Sequence, residues 1–66
     1  MRVLANGAEV ALPDGARLTD LFDTLGVGAR WVVAEVNGVA IDRAEMPATT
    51  LSEGDRVELA RAVAGG

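Results

Sequence analysis

Two Asn-Gly dipeptides, Asn6-Gly7 and Asn37-Gly38, each lie between short apolar runs and constrain this chain more than any other feature. A two-residue hairpin turn of the favoured hand needs positive φ at both central positions, which asparagine tolerates and glycine adopts freely. The first pair joins a strand over residues 2–6 to one over 8–12, and Pro13-Asp14-Gly15 then ends the ladder, since proline has no N–H to donate. The second pair joins a strand over 31–36 to a short piece at 39–41. Alternation along Trp31-Val32-Val33-Ala34-Glu35-Val36 assigns Val32, Ala34 and Val36 to the core and Trp31, Val33 and Glu35 to the opposite face. Trp31, at the strand's start, is expected to cover the edge of the core.

Between the hairpins, Leu18, Leu21, Phe22 and Leu25 recur at helical spacing while Thr19, Asp20 and Asp23 face the other way. The spacing predicts a helix that ends at Gly26, a left-handed cap. Its start falls within 16–19, because Arg17 is a poor N-cap. Farther on, Asp42 and Glu45 resemble a capping box for one helical turn over 43–46, which Pro47 should stop. Glu53-Gly54-Asp55 reads as a tight turn that launches a last strand over 56–61, with Val57 and Leu59 inward.

A hairpin alone is marginal in water, so the helix must lie across the sheet and share its core. The expected fold is therefore α+β in ββαβ(β)β order, a mixed sheet of roughly four or five strands on one main helix. Residues 1–61 form the globular domain and 62–66 a flexible tail.

Composition narrows the function. With no cysteine and no histidine, the 66 residues offer no disulfide, thiolate or imidazole chemistry. The acidic side chains are spread along the chain and serve turns, caps and a solvated helix face, so no metal site is expected. No apolar stretch suits a signal peptide or membrane span, and a cytoplasmic protein with no membrane partner is expected. Ten acids against six arginines give a net charge of −4, which argues against nucleic acid and for a partner with a basic face.

The last residues, Ala62-Val63-Ala64-Gly65-Gly66, suggest the working group. Two glycines without Cβ make a thread thin enough to enter a narrow channel and present the Gly66 carboxylate unshielded by side chains. A terminal carboxyl titrates near about 3.5, so it is ionised and a poor electrophile at neutral pH, and it reacts with a nucleophile only after activation. The chain has no glycine-rich phosphate loop, no lysine and no plausible nucleophile of its own, so the activating machinery must belong to a partner. The chain is then a cosubstrate rather than an enzyme. Val63 to Gly66 span at most about 14 Å when extended, enough to reach from a docked body into a buried pocket. Ordering that tail costs roughly 1–2 kcal/mol per residue, so the body must supply compensating contacts. The outward sheet face at Val33, Glu58 and Ala60, with Arg61 at its edge, is the expected docking surface, against ordinary solvated surface as the alternative.

Taken together, these residues resemble the ubiquitin-like β-grasp sulfur carriers, and most closely the ThiS-type carriers of thiamine biosynthesis. The resemblance spans the whole chain. It rests on Val36-Asn37-Gly38, Ile41-Asp42-Arg43 with Glu45, Leu51-Ser52-Glu53-Gly54-Asp55-Arg56-Val57-Glu58 and the final Val63-Ala64-Gly65-Gly66. It implies that Gly66 is adenylated with ATP by a ThiF-type enzyme related to ubiquitin activators. The adenylate becomes a thiocarboxylate with sulfur from a donor enzyme, and a ThiG-type thiazole synthase receives the sulfur for thiazole phosphate. The carrier itself binds no cofactor and is a monomer when alone. The small subunit of molybdopterin synthase, carriers for tRNA thiolation or cysteine synthesis, and a ubiquitin-like protein modifier share this end, and a plain β-grasp interaction domain is a further rival. All six cations are arginine; codon usage explains this, and a second explanation is protection against acylation of lysine by a chain's own activated terminus. A surface lysine introduced at Arg43 would separate the two.

Overall fold

The computed structural model describes residues 1–61. Among them, five strands form one sheet: β1 (Arg2–Ala5), β2 (Ala8–Ala11), β3 (Val32–Val36), β4 (Val39–Ile41) and β5 (Arg56–Arg61). The spatial order is β2-β1-β5-β3-β4, with β1 and β5 parallel and every other pair antiparallel. The first and last strands thus lie side by side at the centre, and α1 (Leu18–Leu25) crosses one face. This is the β-grasp arrangement expected from the sequence.

Both Asn-Gly pairs turn as their chemistry predicts. Asn6 and Asn37 take φ of 50° and 51°, and Gly7 and Gly38 follow at 84° and 83°. The strands end one residue earlier than expected at each side of the first turn's ladder, at Ala5 and Ala11. Leu18, Leu21 and Phe22 are buried against Val3, Ala5, Val32, Ala34 and Val57, with Leu12, Met46 and Leu51 completing the core. Val36 and Leu59 face the same way and are half-buried. Each fully buried aliphatic or phenyl side chain contributes about 1.5–3 kcal/mol, which the core needs in a domain this small.

The start of α1 has a cap of a different kind from the one sought. The Asp20 carboxylate accepts the Arg17 N–H at 2.8 Å, half of a capping box in which arginine cannot supply the other half. Leu18 N–H donates to Thr49 O, and Leu51 N–H to Ala16 O, so this end is also sewn to the later loop. The helix closes on Gly26 at φ 72°, as expected.

Four expectations are corrected. Leu25, at the helical spacing of a core residue, is 40% exposed because the last turn of α1 leaves the buried cluster behind. The 3-10 turn after Asp42 runs over Arg43–Ala48 and passes through Pro47 instead of stopping there. Proline forfeits only its own N–H and its fixed φ suits this tighter helix. Asp42 makes no side-chain cap, so the capping box with Glu45 is absent, and Glu45 N–H donates to the Asp42 backbone carbonyl instead. Trp31 belongs to a separate 3-10 turn, Ala29–Trp31, rather than to β3, and is 55% exposed. Its N–H closes the turn on Gly28 O at 3.0 Å, and its indole lies over Gly28, where a Cβ would come within 3.3 Å of the ring. The side chain therefore covers a loop, not the core.

Candidate functional site

The candidate site is built around β5, since residues 62–66 continue from Arg61. Val63, Ala64, Gly65 and Gly66 lie outside the described residues, as does the expected boundary between body and tail. Of the remaining candidates, Val33, Ala60 and Arg61 occupy one end of the β3–β5 ladder, and Glu58 lies toward its other end, opposite Glu35.

The root of β5 is held on both sides. Val57 is fully buried beside Ala5 of β1, and Asn6 N–H donates to Val57 O at 2.9 Å. The two hairpin asparagines then do more than turn the chain. The Asn37 side-chain oxygen accepts the Arg56 N–H at 2.9 Å while its amide donates to Asp55 at 3.0 Å. The Asn6 side chain grips Leu59 twice: its oxygen accepts the Leu59 N–H at 2.8 Å and its amide donates to Leu59 O at 3.1 Å. Asn6 thereby extends the ladder past the end of β1, two residues before Arg61. Each net hydrogen bond contributes about 0.5–1.5 kcal/mol, and this pair aligns the strand close to Arg61, the last described residue.

Register sorts the candidates onto two faces. Directly opposed residues of an antiparallel pair share a face, so Val33 stands beside Ala60, and Glu35 beside Glu58, on the side away from α1. Val33 is 50% exposed and supplies an apolar surface there. Arg61 opposes Val32 and so belongs to the helix side, not to the edge of the outer face. The sequence placed it with the other three; strand alternation across one more residue moves it away.

Glu35 and Glu58 are like charges placed directly across from one another, an arrangement that destabilises a sheet by itself. Among the described residues, no arginine comes within ion-pair distance of either; the only side-chain pair is Arg2–Glu9 at 3.8 Å. Sequence alternation places Glu35 on this face beside Val33, but the docking residues named from the sequence leave it out, because its pairing with Glu58 depends on the β3–β5 register. Sequence reasoning missed Arg43, read as free surface. Its guanidinium donates to Ala29 O at 3.0 Å and Val32 O at 3.2 Å, pinning the turn that carries Trp31 to the start of β3.

The ThiS family model matches residues 1–66, the whole sequence. The chain belongs to the ThiS family. No curated protein sequence matches it. Among solved structures, this ThiS-family chain is similar to the crystal structure of the thiamine biosynthesis protein ThiS from Geobacter metallireducens, with 32% identity and a TM-score of 0.84 over all of both chains. It is also similar to the NMR solution structure of a thiamine biosynthesis protein from Geobacter metallireducens, with 32% identity and a TM-score of 0.78. That match covers all of this chain and 88% of the other. Among the described residues of the ThiS-family chain, no helix is long and apolar enough to cross a membrane.

Proposed function

We propose that this chain is a sulfur carrier of thiamine biosynthesis whose working group is the Gly66 carboxylate. The observation that carries the reading is the family match, which runs to the last residue and so takes in Gly65-Gly66. A carboxylate oxygen of Gly66 attacks the α-phosphorus of ATP on a ThiF-type enzyme and pyrophosphate leaves. Hydrosulfide supplied by a donor enzyme then attacks the acyl carbon, AMP departs and the thioacid loses its proton, giving the thiocarboxylate. A ThiG-type thiazole synthase takes the sulfur. The chain contributes no catalytic side chain to these steps; it presents the group and is recognised.

Recognition falls to the outer face of β3 and β5. Val33 and Ala60 offer apolar contact, and the opposed Glu35 and Glu58 suit a basic side chain on the partner, which would relieve their mutual repulsion. A cytoplasmic location suits a carrier that meets ATP-dependent enzymes.

Deleting Gly66 tests the reading. The shortened chain should unfold at the same temperature as the full one and form no thiocarboxylate, whereas the full chain should show intact mass with one sulfur in place of one oxygen. A truncated chain that still sustains thiazole phosphate formation would overturn it.

A further inference from the structure

On the helix side of β5 lies an open groove of about 880 Å³. Leu25, Val27, Gly28 and Trp31 form one wall and Leu59 to Arg61 the other, with Asn6 closing one end. Among the described residues five large apolar side chains are exposed, and three of them, Leu25 at 40%, Val27 at 36% and Trp31 at 55%, converge here. Small soluble domains seldom gather exposed apolar groups in one place without use for them.

The groove's charge runs against that of the chain. The sequence carries ten carboxylates and a net charge of −4, yet no carboxylate lines the groove among the described residues. Among the described residues Arg61 is its one charged lining residue, and the Arg30 guanidinium lies 5.7 Å from the ring centre of Trp31, itself a lining residue. An apolar trough lined by one guanidinium, with a second over its Trp31 wall, fits a hydrophobic side chain flanked by a carboxylate. Its position narrows the source, because Arg61 both lines the groove and directly precedes residues 62–66. A protein that takes up those residues therefore comes close to Arg61 and the groove it lines.

We infer that the groove is a second docking surface, which receives an aliphatic or aromatic side chain with a neighbouring Asp or Glu on the adenylating enzyme. The inference rests on the sulfur-carrier reading, and it assigns the two faces of β5 to contacts of opposite charge. Engagement of the groove fixes Arg61 from the side that the outer face cannot reach.

The single tryptophan makes the test direct. In the nitrogen-15-labelled chain, the only indole N–H signal is that of Trp31, and unlabelled adenylating enzyme should shift or broaden it saturably. Val27→Asp, which sets a carboxylate into the groove, should raise the dissociation constant by about tenfold or more, and Arg30→Glu by several-fold. Both substitutions are at exposed loop positions, and an unchanged backbone amide spectrum verifies the fold. Wild-type binding with an unmoved indole, or with affinity unchanged within about twofold in Val27→Asp and Trp31→Ala, overturns the groove while leaving the carrier reading intact. Thiocarboxylate formation that is independent of Gly66 overturns the carrier reading instead. An indole shift that tracks the chain's own concentration identifies a second copy as occupant and overturns the inference too.

Discussion

On the outer face of β5, Glu58 and Ala60 stand beside Glu35 and Val33; on its helix side, Leu59 and Arg61 stand beside Ala34 and Val32. One face carries the opposed Glu35–Glu58 pair beside a small apolar patch, with Arg56 farther along the same side, and the other is apolar with arginine at its lip. Both faces come from six consecutive residues, because a strand turns successive side chains to opposite sides. One short segment can therefore serve two unlike surfaces while the backbone between them stays paired. The root and the tip of the same strand differ as well. Val57 is buried between β1 and β3, whereas Ala60 and Arg61 are exposed and pair with β3 alone. The division suggests that the root supplies stability and the tip supplies contact.

The sharpest way to break the contrast is at the root. Val57→Ala should lower stability by about 2–3 kcal/mol through lost burial and the cavity left behind, read from urea unfolding. Binding to the adenylating enzyme should persist wherever the variant is still folded. If Val57→Ala weakened binding by as much as it weakened the fold in fully folded protein, root and tip would not be separate.

The two asparagines compare the same dipeptide at the two positions. Asn37→Ala and Asn6→Ala each remove two side-chain hydrogen bonds to the segment 55–59 and a residue suited to positive φ. Each should cost about 1–2 kcal/mol. Only Asn6→Ala, which frees Leu59 near the exit, should also slow thiocarboxylate formation when both are assayed well below their unfolding temperatures. Equal rates in the two variants would assign Asn6 a purely structural role.

The smallest effect concerns the outer face. Glu58→Gln removes one of two opposed carboxylates and should stabilise the fold by about 0.2–1 kcal/mol. It should at the same time weaken docking on the adenylating enzyme and flatten its salt dependence. Gain of stability with undiminished docking would mean that the acidic pair does not meet a basic partner.

Much of this was legible beforehand because it follows from local chemistry. The Asn-Gly turns, the apolar stripe through Leu18, Leu21 and Phe22, and the cap at Gly26 each depend on a few neighbouring residues, and the structure agrees with them. What was missed depends on residues far apart in sequence. Asn6 and Leu59 are 53 positions apart, and no spacing rule connects a turn residue to the strand it clamps. Trp31 follows the same pattern of β-branched neighbours as β3, yet Gly28 lets the chain close a turn beneath its ring. Arg61 is an exception, set from the sequence at the edge of the outer face with Val33 although alternation from the inward Val57 and Leu59 turns it to the helix side, where it opposes Val32. Arg43 reads as one more solvated cation until the carbonyl groups of Ala29 and Val32 are in place around it.

The central pairing of β1 with β5 also sets a condition on birth. A nascent chain emerging from the ribosome can form its first hairpin and its helix early, but β1 has no lasting neighbour on its inner side until β5 has been made. Closure of the sheet therefore waits for the segment that leads directly into residues 62–66, so an enzyme that recognises the closed sheet never meets a chain that lacks β5.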